Sequence, residues 1–546
     1  MTDAPTASAG LDQVMQAIAA GDLARAGRVA EEALAEGEAH PLLYKMRGLR
    51  NEGRGAFEEA VADFRAALDY EPADAGALNA LGLCLARLGR LPEAVAELDR
   101  ALAADPEFGG AAYNRGWALE MMGELAQARA AYERAAELEP GNGAALSSLA
   151  SIAARAGDVG TARARAEAAL KLNPRDPTAV MALAIADNGE RRFAEAEARL
   201  NALLADRRGL SPHAEAVAEG LLADALDGQD RTAEAFAAYQ AENTLQRRIH
   251  IGRFGAGRPE SGADYVRSLS GYMARSTREE WTANPPAEPV ASPARRHVFL
   301  LGFPRSGTTL LGQVLAAHPQ VVTLDEKETL LPAVHAFMTN ATDLDRLKAQ
   351  PSEALEDYRR HYWRGVREMG VEPDGKVLVD KLPMNTLKLP LIAKLFPDAV
   401  VLFARRDPRD VVLSCFRRHF VVNPTTFEFL TLDGAANYYA AVMALTEQFE
   451  EKLPLDLRHQ RHEDLVEAFE PTAKALCASL GVDWDPAMAD FAARSRARDI
   501  ATPSAGQVAA GLTGEGVGQW RRYREQLAGV LPVLAPWVER LGYPAD

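Results

Sequence analysis

Apolar residues recur at helical spacing through the first half of the chain, and as short strand-like runs alternating with helical ones through the second half. The stretches "LLYKMRGLRNEG" and "AFEEAVADFRAAL" illustrate the first half, since each places apolar residues three and four positions apart. Pro72 follows, at a point where a helix must stop. This pattern predicts a hairpin of two helices.

The hairpin pattern repeats every 34 residues. Four sets of equivalent residues share this period: Gly48, Gly82 and Gly116; Ala60, Ala94, Ala128 and Ala162; Ala67, Ala101, Ala135 and Ala169; and Pro72, Pro106, Pro140 and Pro174. The small residues should let the two helices of a hairpin approach closely, while Phe64, Leu98 and Tyr132 fill the same place in successive units. Fainter copies over residues 7–40, near Ala196 and around Ala235 bring the total to about seven units.

These residues resemble the tetratricopeptide repeat in their period and in their Gly, Ala and Pro placements. The resemblance implies an all-α superhelix over residues 7–246 whose concave surface binds an extended peptide or a partner protein. A structural spacer or a dimer interface is the alternative. Between residues 247 and 293 the pattern is lost, and the stretch "TANPPAEPVASPARR" indicates a linker.

The second half alternates apolar strands with helical stretches from residue 297 onward, as in "HVFLLGF", "TLLGQVLAAHP", "KVLVDKLP" and "AVVLFARR". This alternation predicts an α/β domain with a parallel sheet over residues 294–546. Ligands of such sheets bind beyond the carboxyl ends of the strands, where "GFPRSGTT" and "ARRDPRD" both fall. We therefore expect the two motifs to face one ligand.

Composition narrows the class of protein. The 546 residues carry a net charge of −16, most of it in residues 1–293, which argues against general nucleic-acid binding. Three widely spaced cysteines support neither a disulfide framework nor a zinc site. The amino terminus lacks the features of a signal peptide, and no apolar run is long enough for a membrane helix, so we expect a cytoplasmic protein without a membrane partner.

The stretch "GFPRSGTT" is a phosphate loop of P-loop type without the usual lysine. Gly302 and Gly307 keep the spacing of the nucleotide-hydrolase loop, but Thr308 occupies the lysine position and Arg305 supplies a cation within the loop. Hydroxyl groups and a helix amino terminus still suit a doubly charged phosphate. The predicted phosphate-binding residues are Arg305, Ser306, Gly307, Thr308 and Thr309. For a magnesium-holding carboxylate the sequence offers only Asp380.

Together, "PRSGTT" and "ARRDPRDVVLSCF" resemble the sulfotransferases, most closely the branch of the tyrosylprotein sulfotransferases. The resemblance implies that the first motif binds the phosphosulfate end of the donor 3′-phosphoadenosine 5′-phosphosulfate. It also implies that an arginine and a serine eight residues later hold the 3′-phosphate, a spacing that Arg406 and Ser414 meet. Asp407 should cap the following helix, with Pro408 in its first turn, so that both side chains converge on one phosphate.

The resemblance also implies the catalytic residues. The base position shortly after "HP" matches Glu326, and the segment "DKLPMNTLKLPLIAKLFP" places a catalytic lysine at Lys381, with Arg305 assisting at the phosphosulfate. Rival carboxylates are Asp325 and Glu328, and the acidic run is alternatively a polar helix start. Because the donor carries a sulfuryl group and no γ-phosphate, neither the loop lysine nor a metal is expected to be required.

Two later segments, "TPSAGQV" (Thr502–Val508) and "VGQWRRYREQL" (Val517–Leu527), look like the segments that close over the nucleotide in this family. The sequence departs from the usual pattern of this family at two positions. His462 stands where relatives usually carry Tyr, and Gln519 stands where a basic residue is common.

We therefore expect a sulfotransferase that modifies a hydroxyl on a polypeptide recruited by the repeats. A carbohydrate or glycan acceptor is an alternative within the same reaction class. A repeat scaffold that binds nucleotide without catalysis and a P-loop kinase are alternatives from other classes.

Overall fold

The computed structural model describes residues 9–286, 288–492, 512 and 514–545. The chain divides into two compact units, Met1–Arg208 and Gly209–Asp546. No helix among the described residues combines the length and the apolar character that crossing a bilayer requires.

The first unit is entirely helical in its described part, and consecutive helices pack against each other. These helices are α1 (Ala9–Ala19), α2 (Leu23–Ala35), α3 (Pro41–Gly53), α4 (Phe57–Tyr70), α5 (Ala75–Arg87), α6 (Leu91–Ala104), α7 (Gly109–Met121), α8 (Leu125–Leu138), α9 (Gly143–Arg155), α10 (Val159–Leu172), α11 (Pro177–Gly189) and α12 (Phe193–Ala205). Paired helices of this kind are what the 34-residue period predicts.

The repeated glycines lie against the bulky residues of the next helix. A Cβ atom added at Gly48 would lie 2.9 Å from the Phe64 ring. The same atom would lie 2.6 Å from Leu98 at Gly82, and 2.7 Å from the Tyr132 ring at Gly116. Because such contacts are too close for carbon atoms, each glycine lets its helix pair approach, and this packing is the physical reason for the period.

The second unit combines helices with one sheet. Its α-helices before and around the first strands are α13 (Pro212–Asp227), α14 (Thr232–Phe254), α15 (Gly262–Arg275), α16 (Arg278–Thr282), α17 (Thr308–Ala316), α18 (Leu331–Phe337), α19 (Asp343–Ala349) and α20 (Glu356–Glu368). They are followed by α21 (Leu389–Leu395), α22 (Pro408–Arg417), α23 (Leu432–Lys452), α24 (His462–Glu467), α25 (Phe469–Leu480), α26 (Arg524–Leu527) and α27 (Leu531–Arg540). Short 3₁₀ turns cover Ser352–Leu355, Pro383–Lys388, Thr426–Leu430, Pro486–Asp490, Gly514–Gly516 and Gln519–Tyr523.

The sheet has five parallel strands in the order β2-β3-β1-β4-β5, as expected for the predicted α/β domain. The strands are β1 (Arg296–Gly302), β2 (Val321–Asp325), β3 (Val377–Lys381), β4 (Val400–Arg405) and β5 (Asp456–Arg461). Alternate residues of the central strands point to opposite faces. Phe299, Leu301 and Phe403 join a large core on one face, whereas Val298 and Leu300 join a smaller core on the other.

Helices α13 and α14 lie in the second unit rather than in the first. Residue 246, the predicted end of the repeats, falls inside α14, and α15 falls inside the predicted linker. Val266, Leu269 and Met273 of α15 are fully buried in the larger core beside the sheet. Apolar spacing predicts that a segment is helical, but it does not identify what the helix packs against.

Candidate active site

All five strands end at the same edge of the sheet, and the predicted site residues follow those ends. The loop after β1 carries Arg305, the loop after β2 carries Glu326, and β3 ends at Lys381. Arg406 follows β4 and His462 follows β5. The parallel topology therefore collects residues that are as far as 157 positions apart in the sequence.

The loop after β1 has a backbone shape that suits an anion. Gly307 caps α17 in the left-handed conformation with φ 92°, and a Cβ atom there would lie 2.4 Å from Nδ1 of His462. Arg305 also has a positive φ of 71°, which costs energy for a residue with a side chain. The loop hydroxyls of Ser306, Thr308 and Thr309 are buried at the amino end of α17. A phosphate is the usual ligand of such a loop and helix start.

The structure links the two predicted donor motifs directly. Arg305 Nε donates a hydrogen bond of 2.9 Å to Ser414 Oγ, and Arg406 Nη1 donates one of 3.0 Å to the carbonyl oxygen of Arg305. Burial, with the neighbouring charges of Arg418 and Arg406, lowers the pKa of Arg305 to about 9. The guanidinium is still charged at neutral pH, so the site holds crowded positive charge that an anionic ligand would relieve.

Arg406 is almost completely buried, with 8% of its surface exposed. Its Nη2 donates to the carbonyl oxygen of Gly516. Among the residues that the structure describes, its Nε has no hydrogen-bond partner. Asp407 caps α22 as predicted, accepting a hydrogen bond of 2.9 Å from the Arg409 amide. A buried guanidinium with an unsatisfied N–H is a group that a phosphate oxygen would complete.

The segment Val517–Leu527 is fastened to α22. Asp410 accepts hydrogen bonds from the amides of Gly518 and Trp520 at 2.7 and 2.8 Å. Gln519, one of the two predicted departures, accepts a hydrogen bond of 3.2 Å from Arg417 Nη1. The other predicted closing segment, Thr502–Val508, lies outside the described residues.

Lys381 and Glu326 form an ion pair. Lys381 Nζ lies 2.8 Å from Glu326 Oε1 and 3.4 Å from Asp325 Oδ1, and the lysine side chain is 1% exposed. The Glu326 amide donates a hydrogen bond of 2.7 Å to the carbonyl oxygen of Lys381, which fixes the backbone of the pair. Glu328, the other rival carboxylate, instead pairs with Lys388 at 2.5 Å. The structure thus groups Glu326 and Asp325 with the predicted lysine and separates Glu328 from it.

Asp380 belongs to a buried network on the opposite face of β3. Its carboxylate accepts hydrogen bonds from Tyr362 Oη at 2.8 Å and from Thr329 Oγ1 at 3.3 Å, and Tyr362 also contacts His297 Nε2 at 2.8 Å. Burial raises the pKa of Asp380 to about 7 and lowers that of His297 to about 3. The only trace of this network in the sequence is a polar residue inside each of the apolar strands "HVFLLG" and "VLVDK", and such single residues do not reveal that they meet.

The described part of the chain contains no group of three or more His, Cys, Asp and Glu side chains arranged to hold a metal ion.

His462, the second departure, begins α24 beside the phosphate loop. Burial and the charges of Arg406 and Arg305 lower the pKa of His462 to about 3, so its imidazole is neutral at physiological pH. Its Nδ1 has no hydrogen-bond partner within the described residues. A neutral imidazole can either donate or accept a hydrogen bond at this position.

Comparison with known proteins places both parts of the chain. Residues 297–486 match the family model described as "Sulfotransferase family". The model described as "Tetratricopeptide repeat" matches residues 45–108, 87–144, 113–177 and 148–212. The chain therefore contains tetratricopeptide repeats followed by a sulfotransferase-family domain, which confirms the resemblance drawn from the motifs.

Individual relatives align over parts of the chain. An uncharacterised protein of Aquifex aeolicus (strain VF5) is 25% identical over 262 residues, which cover 46% of this chain and 34% of the relative. Protein-tyrosine sulfotransferase 1 of Mus musculus is 29% identical over 131 residues, covering 23% of this chain and 35% of the relative. The chain thus spans about a third of the length of these two curated relatives.

Among solved structures, a tetratricopeptide repeat protein from Parabacteroides merdae ATCC 43184 matches with a TM-score of 0.32 and 19% identity. The match covers 38% of this chain and 85% of that one.

Proposed function

We propose that this chain, in which repeats precede a sulfotransferase-family domain, transfers a sulfuryl group from 3′-phosphoadenosine 5′-phosphosulfate to an acceptor hydroxyl. One observation carries the proposal: the linked cluster of Arg305, Ser414 and Arg406 lies at the same sheet edge as the Lys381–Glu326 pair. The first group suits a phosphorylated donor, and the second supplies a base and a cation. Neither group alone would distinguish a transferase from a nucleotide-binding module.

In the proposed donor site, the loop after β1 around Gly307 binds the 5′-phosphosulfate, and Arg406 and Ser414 bind the 3′-phosphate. Arg406 Nε, which no described residue accepts from, supports this assignment, because a buried N–H without a partner is costly unless a ligand completes it. The neutral His462 would offer a hydrogen bond without adding charge. The roles of Ser306, Thr308 and Thr309 are likewise proposed as hydrogen-bond donors to the phosphosulfate.

In the proposed reaction, the acceptor oxygen attacks sulfur in line with the leaving phosphate oxygen. An oxygen–sulfur bond to the acceptor forms as the bond between sulfur and the phosphate oxygen breaks, releasing 3′-phosphoadenosine 5′-phosphate. Glu326 takes the hydroxyl proton, and Lys381 and Arg305 stabilise the charge that grows on the leaving oxygen. The close Lys381–Glu326 contact holds base and cation at fixed positions, as general acid–base catalysis requires.

We further propose that the acceptor is a hydroxyl on a polypeptide that the repeats recruit. Two observations support it: the repeat array precedes the transferase domain in one chain, and a relative carries the name protein-tyrosine sulfotransferase. Repeat arrays of this kind commonly bind extended peptides. The alternative is a carbohydrate or lipid-linked glycan acceptor, with the repeats recruiting a partner enzyme.

Donor binding is tested by calorimetric titration of the full chain with 3′-phosphoadenosine 5′-phosphate, beside ATP with magnesium. We expect selective binding of the 3′-phosphorylated nucleotide and a loss of about tenfold to a hundredfold in affinity for Arg406→Ala, since hydrogen bonds to charged groups contribute about 1.5–3 kcal/mol. The matched control is Arg405→Ala, because the neighbouring Arg405 pairs with His459 and Glu450 instead. Preference for ATP, or equal losses in both variants, would contradict the donor site.

The acceptor is tested by incubating the full chain with donor labelled in its sulfuryl group and a cell extract. A labelled product that proteases degrade to labelled amino acids supports a polypeptide acceptor. Label that instead follows released glycans would contradict it while leaving the transferase activity intact.

A further inference from the structure

The hairpin of α13 and α14 contacts the carboxyl end of α22, and all of these elements lie within the second unit. Asn243 Nδ2 donates a hydrogen bond of 2.8 Å to the carbonyl oxygen of Phe416, and the rings of Phe236 and Phe416 stack at 5.2 Å. Phe416 lies two positions after Ser414 on the same helix. The hairpin therefore contacts the helical turn that carries Ser414, the residue proposed to bind the 3′-phosphate.

Three ion pairs strengthen this attachment. Asp227, at the end of α13, forms an ion pair with Arg417, the last residue of α22. Just beyond the helix, His419 Nδ1 lies 2.5 Å from Glu242 Oε1, and its Nε2 lies 3.4 Å from Asp224 Oδ2. Burial opposes charge on this imidazole, but hydrogen bonds to Asp224 and Glu242 raise the pKa of His419 above its usual range. The contact is therefore a charged one at neutral pH.

Asp227 also holds the segment that is fastened to the start of α22. It accepts a hydrogen bond of 2.6 Å from Tyr523 Oη and pairs with Arg522 at 3.2 Å. Asp410 binds the same segment to the first turn of α22 through Gly518 and Trp520. Asp227 of the hairpin thus contacts both the end of α22 and the segment Gly518–Tyr523, and Asp410 binds that same segment to the start of α22.

We infer that the α13–α14 hairpin is a positioning element of the donor site: through Asp227, Asn243 and Glu242 it fixes α22, and with it Ser414, relative to the segment Gly518–Tyr523. This inference rests on the proposed function, since it concerns the same nucleotide site. It gives the hairpin a role distinct from peptide recruitment, in keeping with the match to the repeat model, which ends at residue 212 where α13 begins. These hairpin residues act through α22 and do not touch the ligand.

The test compares point variants in the full chain. We expect Asp227→Asn to weaken binding of 3′-phosphoadenosine 5′-phosphate by about threefold to thirtyfold, the range expected for residues that act on a site through their neighbours. In a transfer assay, the KM for donor should rise by a similar factor while kcat at saturating donor stays near the wild-type value. Glu234→Gln is the matched control, since Glu234 lies on α14 but pairs only with Arg231 in an exposed contact among those described.

A second pair of variants separates positioning from general stability. Tyr523→Phe removes the hydrogen bond to Asp227 and keeps the ring, whereas Tyr265→Phe removes a similar bond to the Met338 carbonyl elsewhere in the unit. We expect only Tyr523→Phe to weaken nucleotide binding, measured well below the Tm of each variant.

The outcomes distinguish the two proposals. If the wild type binds the nucleotide and Asp227→Asn and Tyr523→Phe bind it equally well, whatever their Tm, the hairpin has only a structural role and this inference is overturned. If the wild type binds no 3′-phosphorylated nucleotide, the proposed function fails and takes the inference with it.

Discussion

Lys381 and Asp380 are neighbours in the sequence but serve different parts of the molecule. Strand geometry directs Lys381 toward Glu326 and Asp380 into the buried network with Tyr362 on the other face. By its position after an apolar strand, Asp380 is a candidate magnesium ligand, but Tyr362 and Thr329 enclose it in a buried environment. At a strand end, a shift of one residue decides between the site and the core.

Substitution of Glu326 tests its proposed role as the general base. We expect Glu326→Gln to lower kcat by about a hundredfold to a thousandfold, since positioned acid–base groups contribute on this order. Affinity for 3′-phosphoadenosine 5′-phosphate should hardly change. Glu328→Gln is the control, because Glu328 pairs with Lys388 and should leave the rate near wild type. Equal rates for the wild type and Glu326→Gln would exclude the proposed base.

The buried Asp380 predicts a pH dependence of stability. Its pKa is raised from 3.8 to about 7, so the folded state keeps a proton that the unfolded state loses as pH rises from about 4. The stability that Asp380 contributes is therefore present at low pH and lost on the way to pH 7, at up to about 1.4 kcal/mol per pH unit. Asp380→Asn lacks this loss, so its stability relative to wild type should increase between pH 5 and pH 7.

Urea unfolding of both proteins at pH 5, 6, 7 and 8 measures this difference. The advantage of the Asn variant should grow up to about pH 7 and then level off. A difference that stays constant across the series would show that Asp380 does not titrate in this range.

Among the elements, the turns of the repeats contain a second series with the same period. Gly55, Gly89, Gly123 and Gly157 all have positive φ values, from 76° to 82°. The next member of the series is Arg191, with φ 60°. The left-handed conformation is unfavourable for a residue with a Cβ atom, so this turn carries strain that the glycine turns avoid.

Arg191→Gly should therefore stabilise the first unit by about 0.5–1 kcal/mol, after allowing for the greater freedom of glycine in the unfolded chain. The free energy of unfolding from urea titration measures the effect. Arg191→Ala is the control, because it removes the guanidinium that lies 5.6 Å from the Phe193 ring but keeps the Cβ atom. Stabilisation by both variants would place the effect in the side chain rather than in the backbone.

Local periodicity in the sequence explains why the repeat helices and the alternation of strands and helices could be predicted. The Gly48 series and the alternation of strands and helices are local patterns, and both follow from packing rules that act within a few tens of residues. The Gly55 series has the same period and was available in the sequence, although only the structure reveals its positive φ values. The helix α15 was less evident, because its buried face depends on a core that forms from distant strands.

At the scale of the whole molecule, the order of the two folds was readable in advance, whereas the division between the compact units was not. The pattern around Ala235 and Tyr239 predicts a further repeat, and α13 and α14 do form a helix hairpin. Yet Tyr239 donates to Asp224, which also contacts His419 from the second half of the sequence. Such long-range contacts produce no periodic pattern in the sequence, because they depend on charge and shape complementarity between residues nearly two hundred positions apart.

Likewise, the motifs predict which residues form the candidate site. They do not predict which of these residues contact each other, because that depends on the register of the strands. The register of β3 beside β2 brings Lys381 opposite Asp325, and the next residue, Glu326, turns back onto the lysine. The family resemblance favours Glu326 over Glu328 as the base, and the structure places Glu326 beside Lys381 and Glu328 beside Lys388.

The division after Arg208 has a consequence for protein engineering. A chimera that exchanges residues up to 208 for another repeat array keeps Asp224, Asp227 and Glu242 with the second unit. A chimera joined at residue 246 cuts α14 and replaces all three carboxylates with those of an unrelated protein. Exchange of the repeat array is therefore expected to preserve the proposed nucleotide affinity only at the earlier junction, because the residues that we propose position the donor site then stay with the second unit.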